Sequence, residues 1–148
     1  MSLATRHDGA DDSTGLLMWQ VTNRWQAAQR TALKPFDITH VQFVLLATLT
    51  YLGHAGPVTQ KTLAGMAATD PMMTSQVLRA LEGRGLVHRP PHPDDGRARA
   101  VAVTEDGRAL ANRAVVAVEA CDQAFFAGLG AALPAFTAAL RTVRETAP

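Results

Sequence analysis

The sequence predicts a mainly α fold of about six helices with a single β-hairpin, and three observations carry that expectation. Apolar residues recur at three- and four-residue spacing through most of the chain. Capping residues mark where helices begin, near residues 39, 59, 70 and 104. Between residues 86 and 107, in the stretch LVHRPPHPDDGRARAVAVTEDG, two short β-type runs (86–89 and 100–103) flank a loop rich in proline, aspartate and arginine. Helix, hairpin with a basic tip, helix is the layout of a winged helix-turn-helix. Flexible arginines held out on a hairpin suit the minor groove of a DNA duplex.

The elements follow in order. A first helix runs from about Thr14 to Leu33, with Leu17, Val21, Trp25 and Ala28 on one stripe. Lys34-Pro35 ends it, because the residue before proline is pushed out of the helical region. Thr39-His40-Val41-Gln42 reads as a capping box, and the helix it opens, VQFVLLATLTYL, stops at Gly53. That helix is apolar nearly all round and belongs at the centre of the fold. Thr59 caps a short third helix with Leu63, Ala64 and Ala67 inward. Asp70-Pro71 then starts a fourth, an N-cap acid followed by proline at the first helical position, which ends near residues 83–85. After the hairpin, Thr104-Glu105-Asp106 opens a fifth helix with acids favourably placed against the helix dipole. Its seam of Leu110, Ala114, Val118, Cys121 and Phe125 suits packing along another helix. A last helix carries Leu133, Phe136, Leu140 and Val143 on one face.

Size and composition fit one domain. The 148 residues are 47% hydrophobic, enough for a core, and no apolar run approaches the roughly 18–20 residues that span a bilayer. Residues 1–13 lack an apolar signal core and read as a flexible leader, so a cytoplasmic protein without a membrane partner is expected. The single cysteine, Cys121, excludes an intramolecular disulfide framework. Net charge is only +1, so bulk electrostatics do not announce nucleic acid. Residues 71–104 hold five arginines against three acids, a modest excess that a solvated surface also shows.

The fourth helix divides into two faces. Thr74, Val77, Leu78 and Leu81 form the inward stripe, leaving Met72, Met73, Ser75, Gln76 and Arg79 opposite. A short helix, a tight turn at 68–70 and a longer helix make a helix-turn-helix, whose second helix presents its N-terminal residues to the major groove. Gln76 can pair bidentately with adenine, Ser75 can bond a base or phosphate, and methionines can touch thymine methyls. Lys61, Arg79 and Arg84 suit phosphates, which position without specifying. Exposed Gln, Ser and Arg are ordinary on a solvated helix; two exposed methionines are not.

Residues 38–107 resemble the MarR family of winged helix-turn-helix transcriptional regulators. The matching residues are Thr39-x-x-Gln42, Leu63-Ala64, Leu81-Glu82-x-x-Gly85-Leu86-Val87-x-Arg89, Asp95-x-Arg97 and Thr104-x-x-Gly107, in the family's order and spacing. The resemblance implies a DNA-binding domain over residues 38–104, with residues 14–37 and 105–148 forming the dimerisation helices of a homodimer. It makes Arg97 the minor-groove residue and Asp95 its anchor, with Arg99 a second candidate. One departure is Gly96, where the family often has another arginine. An Asp95–Arg97 salt bridge that merely stiffens an exposed turn is the competing reading, worth under about 1 kcal/mol.

The resemblance also implies a ligand pocket between the dimerisation helices and the winged domain, one that often accepts aromatic acids or phenols. Trp19, Trp25, His40 and Phe43 are the candidate lining residues, with ordinary core the competing reading for Trp25 and Phe43. Cys121 on its apolar seam reads as a buried structural cysteine with a raised pKa. His88 and His92 with Asp94 and Asp95 have ligand chemistry, but they lie along a proline-broken loop with no cysteine, so no metal is expected. There is no phosphate loop, nucleophile elbow or HExxH, hence no enzyme and no cofactor. The expected function is a homodimeric, sequence-specific regulator of a palindromic operator, a repressor released by a small-molecule effector. The alternative is a winged-helix module that binds a protein partner through Met72 and Met73.

Overall fold

A computed structural model describes residues 2–90 and 99–148. Helix α1 (Thr14–Leu33) opens on Ser13, whose hydroxyl accepts from the Leu16 amide at 3.2 Å. Its expected stop occurs, by a different route. Lys34 keeps right-handed helical angles (φ −52°, ψ −44°), and the chain tightens into a 3₁₀ turn over Lys34–Phe36. Asp37 then leaves in the left-handed region at φ 53°. Pro35 fits the first positions of that new turn, so it shapes the exit rather than forcing residue 34 out of the helix.

Helix α2 (His40–Leu52) is capped as its sequence predicts. The Thr39 hydroxyl accepts from the Gln42 amide at 3.2 Å, and the Thr39 amide donates to Gln42 Oε1 at 3.0 Å. Phe43, Leu45, Leu46 and Leu49 are buried, and α2 touches α5, α3, α4 and the sheet. It is the hub of the fold.

The wing has one strand more than expected. β1 (Val58–Thr59) pairs antiparallel with β3 (Ala100–Val103), and β3 pairs with β2 (Val87–His88), in the order β1-β3-β2. The registers place Val58 opposite Val101 and Val87 opposite Val103. Two residues are too few to show the alternation by which a strand is read from sequence. Helices α3 (Gln60–Ala67) and α4 (Pro71–Gly83) lie between β1 and β2. Helix α4 ends in paired bonds, Gly85 amide to Glu82 carbonyl at 3.0 Å and Leu86 amide to Leu81 carbonyl at 3.0 Å, which satisfy its last carbonyls and turn the chain into the wing.

Helix α5 (Glu105–Phe125) begins where the wing ends. The Thr104 hydroxyl accepts from the Gly107 amide at 3.1 Å and donates to the Gly85 carbonyl at 2.7 Å. The Thr104 amide donates to the Leu86 carbonyl at 3.1 Å. Gly107 sits so close to that carbonyl that an added Cβ would fall well inside van der Waals contact with it, and 2.9 Å from Val103 Cγ2.

The core joins Leu33 and Ile38 to the α2 leucines, Leu63, Leu78, Leu81, Val101 and the first half of α5. Two expected stripes run beyond it. On α1 the buried positions are Gln29 and Leu33, while Leu17 and Val21 are exposed. On α5, Leu110, Ala114 and Val118 are buried, but Cys121 and Phe125 are only half-covered. Both helices overshoot the body that buries their other halves. Helix α6 (Leu133–Thr146) buries no residue. A 3₁₀ segment, Ala127–Ala132, bends the chain by 76° between α5 and α6 and contains Gly130 at φ 53°, ψ −126°. Among the described residues no single helix is long and apolar enough to cross a membrane.

Candidate nucleic-acid interface

The helix-turn-helix is held by short polar contacts. The Thr59 hydroxyl caps α3 by accepting from the Thr62 amide at 3.0 Å. Helix α3 ends in Ala68, a left-handed alanine at φ 53°. The Thr69 and Thr74 hydroxyls lie 2.6 Å apart, and Thr74 also donates to the Asp70 carbonyl at 2.7 Å. Asp70 Oδ1 caps α4 by accepting from the Met73 amide at 2.9 Å, with Pro71 in the first helical position. The two faces of α4 separate as its sequence predicts. Thr74, Leu78 and Leu81 are buried and Val77 partly so, while Met72, Met73, Gln76 and Arg79 are exposed and Ser75 is half-buried.

Beside this face runs an open groove of about 980 Å³ between the start of α3, the turn and β3, with Lys61 and Arg99 on its walls. Gln60 ties its edges together. The Gln60 amide donates to the Arg99 carbonyl at 2.8 Å, and Gln60 Oε1 accepts from Arg89 Nη1 at 3.2 Å. Arg89 Nη2 reaches the Ser75 carbonyl at 3.5 Å, and its Nε lies 3.9 Å from Glu82. One arginine at the wing base therefore links β2 to both helices of the helix-turn-helix. The sequence singles out neither Gln60 nor Arg89 as an interface residue, because their contact spans 29 residues.

The other site residues are scattered. Arg84, at the far end of α4, donates to the Asp37 carbonyl at 2.7 Å, which braces the α1–α2 connection. Asp95 and Arg97, with His92 and Asp94, lie outside the described residues. Among the described residues no group of three or more His, Cys, Asp or Glu could hold a metal ion.

A second polar cluster joins α1, α2 and α5. Asp122 Oδ1 accepts from Trp25 Nε1 at 2.8 Å and from Gln29 Nε2 at 2.7 Å. The His40 ring meets Trp25 edge-on, with centroids 5.0 Å apart. Gln29 is fully buried, and its Oε1 finds no hydrogen-bond partner among the described residues, an arrangement that costs free energy unless something donates to it. Of the four expected pocket residues, Trp25 and His40 come together here. Phe43 is core, and Trp19 is 68% exposed on the free half of α1. Gln29 and Asp122 escape a reading of the sequence because their pairing spans 93 residues.

Burial pushes the His40 pKa down; Asp122 opposes the shift and Arg30 adds to it. The unfolded chain, with an ordinary histidine near 6.5, therefore takes up a proton before the folded one does. Stability should be full above that value and fall as pH drops through it toward the lower folded pKa. Melting temperatures of the parent and His40→Gln between about pH 5 and 8 check this: the variant should show the shallower acid-side decline. Cys121 is half-buried, less enclosed than its sequence position suggests. Burial raises its pKa, and neighbouring Asp122 raises it further, which leaves little thiolate to react.

Comparison with known proteins agrees with this geometry. The profile of the MarR family matches residues 38–98. The uncharacterized HTH-type transcriptional regulator YdcH of Bacillus subtilis is 43% identical over 86% of this chain and 87% of its own. The HTH-type transcriptional repressor Rv2887 of Mycobacterium tuberculosis is 35% identical over 82% of this chain and 86% of its own. Among solved structures, BpsR of Bordetella bronchiseptica, whose DNA binding is regulated by 6-hydroxynicotinic acid, superposes with a TM-score of 0.86 at 26% identity, covering 97% of this chain and 99% of that one.

Proposed function

The chain belongs to the MarR family of transcriptional regulators, and on that premise we propose that it is a homodimeric repressor, released from a palindromic operator by a small-molecule effector. The observation that carries the DNA-reading part is the outward face of α4. Its N-terminal turn is fixed by Asp70 and itself holds no acid, and the face exposes Met72, Met73, Gln76 and Arg79 beside the groove that holds Lys61 and Arg99. Two such helices would enter successive major grooves, about one helical turn apart. Lys61 and Arg99 suit the adjoining phosphates, and Arg97 takes the minor-groove role that the family resemblance gives it.

Dimerisation is supported by apolar surface that the single chain leaves uncovered. Leu16, Leu17, Met18 and Val21 on α1 and Leu133, Leu140 and Val143 on α6 are all exposed. Beside them Val21, Phe125, Phe126, Leu129 and Phe136 line a hollow of about 260 Å³. Exposed apolar side chains in this number suit an interface. For the effector, the Trp25–Gln29–Asp122–His40 cluster offers an aromatic wall and an unpartnered buried acceptor at the junction of α1, α2 and α5. A ligand that favours a dimer with the wrong spacing of α4 helices would draw the population off DNA. A cytoplasmic protein is the reading that accords with both a DNA operator and a small-molecule effector.

Selection from a random-core duplex pool, followed by anisotropy across a salt series, tests the DNA-reading role. A palindromic site should be enriched, with affinity falling steeply as salt rises. Gln76→Ala should then cost roughly 1–3 kcal/mol on some sequences and little on others, as loss of a base contact does. A uniform loss would make Gln76 a phosphate contact. No enrichment and flat salt dependence would instead favour a protein partner seated on Met72 and Met73.

A further inference from the structure

Gln76 and Arg79 carry hydrogen-bonding groups of the kind that duplex DNA satisfies, but the two methionines on the same face do not. Met72 is 72% exposed and Met73 40%, and both sit in the first turn of α4, where an acid would gain from the helix dipole. Asp70 at the N-cap already supplies that acid, and the turn that follows presents apolar surface to water. Large apolar residues are exposed elsewhere too, on α1 and α6 and at Tyr51, Met66 and Val116; Met72 and Met73 are the two that stand on the outward face of α4, beside Gln76 and Arg79. On a face that reads DNA, the partner suited to them is a small apolar feature inside a polar surface. On the major-groove edge of a base pair there is one such feature, the methyl group at C5 of thymine, which 5-methylcytosine shares. An unbranched thioether chain adapts its reach to so small a target. Its origin is fixed, because Asp70 holds the Met73 amide and Arg89 holds the Ser75 carbonyl.

We propose that Met72 and Met73 read C5-methyl groups of pyrimidines, so that binding depends on a methyl group at defined operator positions, whether thymine or 5-methylcytosine supplies it. The proposal rests on the DNA-reading role above and adds a chemical specificity to it. Methylation of cytosine at those positions would then tune occupancy without any change of base pair.

The test uses the full chain and the duplex enriched from the pool. Each thymine is replaced singly by deoxyuridine, which removes only the methyl group. At one or two positions in each half-site, affinity should fall about fourfold, the equivalent of ~0.8 kcal/mol per buried methyl, and elsewhere it should not change. Met72→Gln or Met73→Gln, at exposed positions that leave the fold intact, should bind the thymine and uracil duplexes alike at its own position. A cytosine placed there should regain about fourfold on C5 methylation. Equal binding of every thymine and uracil pair by the parent would overturn the proposal, as would a uracil penalty that persists in both methionine variants, or no gain from methylcytosine. A pool that yields no enriched duplex would instead remove the DNA-reading role itself, and that result arrives before any base is altered.

Discussion

Gly107→Ala should destabilise the protein by about 3 kcal/mol or more, the upper end of what overpacking costs, with a fall in Tm of about 10 °C for a chain of this size. The added methyl would meet the Leu86 carbonyl oxygen and Val103 Cγ2. The first is backbone, fixed from the other side by the Thr104 amide at 3.1 Å, so it cannot rotate away as a side chain would. The clash falls on the joint between wing and α5, where Gly85, Leu86 and Thr104 meet. Gly65→Ala provides the contrast. That glycine lies within α3 with nothing inside 4 Å of an added Cβ, so the change should raise stability by up to about 1 kcal/mol. Thermal melts of both variants check the pair; a Gly107→Ala melt at the parent temperature would contradict the close approach.

The second large effect is on assembly. Leu140→Glu combined with Val143→Glu should leave the chain folded and monomeric. Both residues are exposed, at 48% and 55%, and α6 buries nothing in the single chain, so intramolecular stability has little to lose. If α6 meets a second copy, four carboxylates would enter an apolar interface without partners, at a cost that removes the dimer. A monomer can occupy only one half-site, and its operator affinity should drop at least a hundredfold toward non-specific binding. Sedimentation velocity and anisotropy on the enriched duplex measure the two consequences. A variant that remains dimeric and binds like the parent would place the contact between copies elsewhere.

These expectations differ in how far the sequence alone could have reached them. Thr39-x-x-Gln42 and Asp70-Pro71 are local devices, with donor and acceptor a turn apart, so the linear sequence contains everything needed to read them. The two faces of α4 were legible for the same reason, since helical spacing alone sorts Leu78 and Leu81 from Gln76 and Arg79. Other features depend on pairing at a distance. β1 exists because Val58 meets Val101, and nothing in a Val-Thr pair announces a partner 43 residues away. The Gln29–Asp122 bond is hidden likewise. On α1 the apolar stripe is a true periodicity, but its N-terminal half extends past the body of the chain, so Val21 is exposed whereas Gln29 is buried. A pattern shows which side faces an apolar surface, and not whether that surface belongs to the same molecule.

Gly130 gives one residue unusual leverage. Its angles, φ 53° and ψ −126°, lie where a side chain is strained, and an added Cβ there would have open space around it. Replacement would therefore disturb direction more than cohesion, re-aiming α6 against α5 without emptying the core. If α6 joins two copies, the distance between their reading helices is geared to that single backbone bend. Lineages that needed a different half-site spacing could obtain it by altering one codon in a segment remote in sequence from α4, while the reading surface stayed as it was.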